Sequence, residues 1–242
     1  MNSMARGTVL GVIIGVAVLL AAGCGGSSGE TGDATGSTRK AYAPRVDPAD
    51  FTTTIDNEYF PLEPGTTFVY EKRGEKAERD EVAVTHDTRR VMGVECVVVR
   101  DTATEGGELI ERTFDWYAQD EKGTVWYFGE DTKEYRNGKV VSTGGSWEAG
   151  VDGARPGIIM QADPKPGLSY RQEYYEGEAE DKAEVVSVNE SATVPYGSFD
   201  HVLITKEWTP LEPGLVEHKY YAPGVGQVGA SEGLNLVDVK TG

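Results

Sequence analysis

The stretch ELIERTFDWYAQDEKGTVWYFGEDTKEYRNGKVVST, residues 108–143, decides the fold. Apolar and polar residues alternate along most of it, which is the period of a strand with one covered face. Asn137-Gly138 stands between two such runs. A two-residue type I′ turn needs positive φ at both central positions, and Asn-Gly is the pair that supplies it most readily. Glu121-Lys122-Gly123 and, just upstream, Glu105-Gly106-Gly107 are further tight connections. Links this short join antiparallel neighbours. The stretch therefore predicts strands over 108–118, 124–130, 133–136 and 139–143.

The same pattern extends outward from this centre. Strands are predicted over 66–73, 81–87, 94–104, 168–175, 183–189, 201–209, 216–221 and 234–240. No comparable helical periodicity follows residue 20. The segment Pro61-Leu62-Glu63-Pro64-Gly65 recurs as Pro210-Leu211-Glu212-Pro213-Gly214, and Pro164-Lys165-Pro166-Gly167 is a shorter echo. Proline presets φ and glycine permits the turn, so each "PG" marks entry into a strand. Between 148 and 167 the alternation lapses into Gly and Pro around the apolar island Ile158-Ile159-Met160. That segment reads either as a crossover loop pinned to the core or as a lid over a cavity. The fold class predicted is all-β, mainly antiparallel, with a single domain over 46–242. Its sheet is an unclosed or partly closed barrel, or a strongly curved meander.

The N-terminus reads differently. Thr8 to Leu20 is a 13-residue run, apolar after its first residue, that follows the basic Arg6. It is shorter than the roughly 20 residues a membrane span needs, and it has the layout of a secretory signal peptide. Ala21-Ala22-Gly23 then precedes Cys24, which resembles the lipobox of bacterial lipoproteins. The resemblance implies cleavage after residue 23 and a lipid on the Cys24 thiol. Residues 24–45 begin as Gly, Ser, Thr and acidic side chains with almost nothing apolar, the composition of a disordered tether. A flexible chain of about 20 residues reaches roughly 25 Å, which would hold a domain just clear of a membrane. The expected location is the outer face of the bacterial cytoplasmic membrane or elsewhere in the cell envelope.

The chain carries a formal charge of −17. Such a body repels phosphates, so nucleic acid is excluded as a partner. It repels anionic headgroups too, so membrane contact would come from the lipid. With Cys24 acylated, Cys96 has no disulfide partner, and its β-branched surroundings read as a buried small hydrophobe. His86, His201 and His218 stand far apart, without zinc-ligand spacing. No nucleophile elbow, phosphate loop or dinucleotide fingerprint occurs. The sequence predicts no metal, no cofactor and no catalytic residue. With 40 acidic residues, chance carboxylate pairs carry little weight.

Aromatic clusters are the remaining signal. Trp126 and Phe128 share one face of their strand, and Tyr127 takes the other. The aromatics either fill a core or line a pocket for an apolar or sugar-like ligand. The candidate ligand residues are Trp126, Phe128, Tyr170, Ile158 and Met160.

Four phrases occur together: DNEYFPLEPGTTFVYE from Asp56, DWYAQDEKGTVWYFGEDTKEY from Asp115, VPYGSFDHVLITKEWTPLEPG from Val194 and KYYAPGVGQV from Lys219. They resemble a family of uncharacterised bacterial extracytoplasmic proteins, often lipoproteins, over most of residues 50–229. The strand-rich pattern is also similar to the unclosed β-barrels of lipoprotein-carrier proteins, which hold acyl chains in a concave face. That resemblance is architectural and assigns no site residues. Three functions follow as expectations. The first is a membrane-tethered, non-enzymatic module that binds an apolar small molecule or an envelope protein. The second is an extracytoplasmic hydrolase whose site gathers distant His and carboxylates. The third is a structural envelope factor acting by protein contact.

Overall fold

The computed structural model describes residues 42–74 and 77–242. The signal peptide, Cys24 and all but the last four residues of the tether lie outside the described residues.

Sixteen strands form one antiparallel sheet, and thirteen of them follow one another around a nearly closed barrel. Chain order begins with the short β1 (Phe51–Thr52), β2 (Thr66–Lys72), β3 (Glu78–Val91), β4 (Val94–Glu105), β5 (Glu108–Asp120) and β6 (Val125–Arg136). It continues with β7 (Lys139–Ser142), β8 (Trp147–Glu148), β9 (Arg155–Met160), β10 (Ser169–Arg171) and β11 (Glu173–Tyr174). The last five are β12 (Lys182–Val194), β13 (Gly197–Trp208), β14 (Val216–Ala222), β15 (Gly226–Ala230) and β16 (Asn235–Thr241). Around the barrel the order is β10-β12-β13-β14-β15-β16-β2-β3-β4-β5-β6-β9-β11. The two ends, β10 and β11, are consecutive in the chain, so one unsealed seam is bridged only by the run through Gln172.

The turn chemistry holds the meander together. Asn137 and Gly138 both have positive φ, 52° and 70°, as a type I′ hairpin requires. Gly106-Gly107 makes the same turn. So does Met92-Gly93, where the sequence offered no comparable signal. Gly65, Gly167 and Gly214 of the repeated "PG" turns have φ of 93°, 84° and 99°, and each leads into a strand.

Three expectations are corrected. The predicted strands 124–130 and 133–136 are a single strand, β6, kinked where its pairing with β5 shifts register between Asp115 and Tyr117. Gly129 sits in that kink at φ 136°, and a Cβ there would overlap the backbone of Trp147. The predicted strand 168–175 is two pieces, β10 and β11, broken at Gln172 by the seam. Residues 148–167 are neither simple crossover nor lid, because Arg155–Met160 forms β9, paired to β6 and β11. Pro156 and Gly157 hide this strand from a propensity reading. Gly157 is needed there: a Cβ would overlap the backbone of Gln172.

Face assignment follows from register. Looking inward are Tyr117, Asp115, Thr113 and Glu111 of β5, with Tyr127, Glu130 and Thr132 of β6 opposite them. Val97, Val99, Asp101 and Ala103 of β4 continue these rows. On the far wall Leu203, Thr205 and Glu207 of β13 pair with Tyr221, Lys219 and Glu217 of β14. The segment from Ile55 to Leu62 plugs one end. Its Phe60 ring packs edge-on to Tyr117 at 5.5 Å and lies 6.5 Å from Tyr221. Gln119 clamps the plug, its Oε1 accepting from Asp56 N and Asn57 N while its Nε2 donates to Asp56 Oδ1 at 2.6 Å. Asn57 Nδ2 in turn donates to the carbonyls of Gly123 and Gln161. Tyr42, at the end of the tether, donates to Pro156 O across the outside of β9 and meets Tyr174 edge-on.

Candidate functional site

The barrel has two chemically distinct interiors. Nearest the plug the rows are aromatic and aliphatic: Tyr117 and Tyr127 stack at 4.7 Å, with Trp147 edge-on to Tyr127 at 5.3 Å. Farther from the plug the walls carry carboxyls. Asp80, Asp101, Glu111, Asp115, Glu130, Glu173, Glu207 and Glu217 are all buried, and Lys219 is the one buried lysine among the described residues.

Geometry requires protons here. Tyr127 Oη lies 2.6 Å from Asp115 Oδ1 and 3.0 Å from Glu130 Oε2. A phenol has one proton to donate, so one of these two acids must donate back. Burial and the neighbouring Asp80 carboxyl hold Asp101 well above the carboxylate range, and burial, with Glu232 and Glu207 nearby, raises Glu217 to about 9. In each case the neighbouring carboxyl favours the protonated form. Loss of hydration is the main cause of the upward shifts: Glu111 rises to about 7 and Asp115 to about 8. Burial, together with Asp115 and Glu111, holds Glu130 well above the carboxylate range. Lys219 is the counter-case. Burial alone would lower it, but Glu207 at 3.0 Å and Glu217 at 4.0 Å raise it above its ordinary value. Glu207 also accepts from Thr205 Oγ1 at 2.7 Å and Tyr221 Oη at 3.3 Å.

No group of three His, Cys, Asp or Glu side chains that could hold a metal ion occurs among the described residues. Cys96 is buried, and burial pushes its thiol up to about 12. At neutral pH it is a thiol, not a nucleophilic thiolate.

The aromatic candidates are not gathered on one concave face. Trp126 and Phe128 do share a face, as alternation requires, but it is the outer one. Phe51 of β1 covers both, at 6.1 and 5.4 Å between ring centroids, and Trp126 Nε1 donates to Asp120 Oδ2. The polar-tipped Tyr127 turns inward instead, where its hydroxyl meets the acids. Ile158 lies across from Trp126 and Met160 across from Val125, in β9. Tyr170 pairs with Ala183 on the opposite side of the seam, and its phenol, buried near Glu207, is held above its ordinary range.

Concave apolar space lies elsewhere, beside the plug. An outer groove of about 190 Å³ is bounded by Pro61, Glu63, Thr66, Phe68, Tyr196, Gly224, Val225, Val239 and Thr241. An inner recess of about 20 Å³ is bounded by Phe60, Pro61, Leu62, Phe68, Tyr70, Val82, Val225, Gly226 and Gln227. The two share Pro61, Phe68 and Val225 as walls. Four parts of the fold meet to make them. The plug turns at Pro61, and β2 and β16 supply the floor. The β14–β15 turn is tied to the plug by Gly224 N donating to Glu58 O at 2.7 Å. The long β12–β13 hairpin bends through three register shifts, and its tip reaches β16, where Tyr196 N donates to Leu236 O at 3.1 Å.

Single-position reasoning missed these residues because they are scattered from 61 to 241. A signal was present all the same: Pro61, Tyr196 and Gly224-Val225 sit inside the aromatic-Pro-Gly phrases YFPLEPG, VPYGSF and YYAPGVG. No family model, no curated protein and no solved structure matches this chain.

Proposed function

We propose that this chain is a membrane-tethered extracytoplasmic lipoprotein, anchored through Cys24, that binds a small apolar ligand without transforming it. The observation that carries the ligand reading is the two-part cleft beside the plug, whose floor is Phe68, Val225 and Val239. A space of about 190 Å³ is smaller than the usual range of ligand sites, roughly 300–1,000 Å³. It suits one ring or a short branched chain, on the scale of the roughly 150 Å³ apolar cavity that takes up benzene in an engineered protein. The tether reading is supported by the apolar run, the small residues before Cys24 and the Gly/Ser-rich segment after it.

The test is native mass spectrometry of protein released from its own membrane. The expected spectrum has diacylglycerol mass on Cys24 and a second, non-covalent adduct lost on unfolding. Val225→Trp, which fills the shared wall, should remove the adduct and leave the lipid. An adduct that survives Val225→Trp would move the site elsewhere, and absence of both masses would end the reading.

A second reading, contact with an envelope protein, rests on β7. Among the described residues this strand pairs only with β6, and its Val140 and Val141 are 49% and 52% exposed. An open, apolar strand edge is a template for another chain.

A further inference from the structure

The outer face of β4, β5 and β6 carries cations that the fold leaves unanswered. Arg100 of β4 stands across from Phe114 of β5, and Arg112 of β5 stands across from Lys133 of β6. Like charges directly opposite one another destabilise a sheet. Among the described residues Arg100 and Arg112 have no ion-pair partner, and Lys133 has Asp131 at 2.7 Å. Glu81 of β3 lies in the row of Arg112, across Thr102, but Arg79 at 2.8 Å and Lys240 at 3.7 Å already hold it. The row runs on into the β6–β7 hairpin, where Arg136 again faces a cation, Lys139. Next to it Val140 and Val141 are exposed.

We infer that this face rests on the anionic phospholipid surface of the membrane that holds the tether. This depends on the Cys24 reading above and adds how the tethered domain lies. Arginine forks and a lysine match a plane of phosphate headgroups, and the valines of the hairpin suit the boundary with the acyl layer. The chain's charge of −17 does not forbid the contact. Exposed charges are screened over about 8 Å at physiological salt, so acids on the far wall are scarcely felt and the local row decides. Reach permits it too. Tyr42 bonds to Pro156 O, and the adjoining Gly157 pairs with Tyr127 of β6. From Tyr127 along β6 to Arg136 is about 30 Å. Residues 24–41, 18 in all, extend to at most about 60 Å. The barrel can therefore lie on its side with β4–β6 against the headgroups.

The test is hydrogen exchange read by mass spectrometry on the full acylated chain, reconstituted in vesicles of phosphatidylcholine alone or mixed with phosphatidylglycerol. Exchange at 133–142 should slow on the mixed vesicles only, and molar salt should undo the slowing. Exchange at 209–216, away from this face, should be the same on both. Each cation at an anionic surface favours the docked state about fivefold. Arg100→Gln with Arg112→Gln should therefore weaken docking about 25-fold and restore fast exchange. If the chain stays on both vesicles and 133–142 slows on neither, the inference is overturned, the tether stands, and the hairpin is left for a protein partner. Equal slowing on both vesicles would overturn it as well, because charge would not be the reader. Slowing reversed by inorganic phosphate at constant ionic strength would replace the membrane with a free anion. A chain that leaves both vesicles would overturn the tether reading together with the inference. The wild-type comparison needs no variant, so it decides the matter even if the double variant does not fold.

Discussion

The plugged end of the barrel and the carboxyl-lined end are built on the same strands and obey opposite rules. At the plug, Phe60, Tyr117, Tyr221 and Leu203 bury apolar area, which stabilises at any pH. A few residues along, Asp101, Glu111, Asp115 and Glu130 occupy equally buried positions. There burial favours the protonated form of each acid. The difference teaches that one continuous interior can have a pH-indifferent half and a pH-governed half, with the row of Tyr117 and Tyr127 as the border.

Raising the pH is the strongest way to break that contrast. These carboxyls have folded pKa values above the roughly 4 expected when unfolded, with Asp181 at about 6, Glu111 at about 7, Asp115 at about 8 and Glu217 at about 9. The folded state therefore binds protons more tightly. Its extra stability is full below about pH 4 and is lost as pH climbs through 6 to 9. The melting temperature should fall steadily from pH 5 to pH 9. A flat or rising profile would mean that the acids are not buried as protonated groups.

Phe60→Ala comes next. Truncating a buried phenylalanine typically costs about 3–5 kcal/mol, and here the loss should be the same at pH 5 and pH 9. Denaturant titration at both values checks this, and a strongly pH-dependent loss would mean that the two halves are not separable. Asp115→Asn should do the reverse. The amide keeps a partner for Tyr127 but does not titrate, so it should reduce the pH 5-to-9 fall by about 1–3 kcal/mol. An unchanged slope in that variant would remove Asp115 from the proton-holding set. The smallest effect belongs outside the barrel. Arg89 lies 3.9 Å over the Trp116 ring and pairs with Glu148 at 2.5 Å, both near solvent. Arg89→Ala should cost about 1 kcal/mol or less, and raised salt should shrink even that.

The sequence made the strands, the hairpins and the antiparallel class legible, because period two and Asn137-Gly138 are local signals. It did not reveal which face looks inward. Alternation says that Trp126 and Phe128 go together and Tyr127 goes opposite, but nothing local says which side the sheet will curl toward. Hydrophobicity pointed the wrong way, since the more apolar pair ended outside under Phe51 and the acids ended inside. Strand β9 was obscured for a similar reason. Its Pro156 and Gly157 suit a close approach to Gln172, and that partner is set by the closing of the barrel and not by the neighbouring residues. The cleft was illegible as a site because it is an intersection of four distant segments.

Closure of the sheet also sets a timetable. β2 is the first long strand in the chain, yet one of its two neighbours is β16, the last. The Tyr70 hydroxyl finds its carbonyl partner at Gln227, 157 residues later. A chain delivered N-terminus first must therefore keep β2 half-paired until nearly all of it has emerged. Contacts of such sequence separation come late and slow the reaction. The hairpins from β3 to β6 can assemble during delivery. The cylinder itself is a final act that awaits the C-terminal strands, so a nascent chain of this protein stays an open ribbon for most of its synthesis.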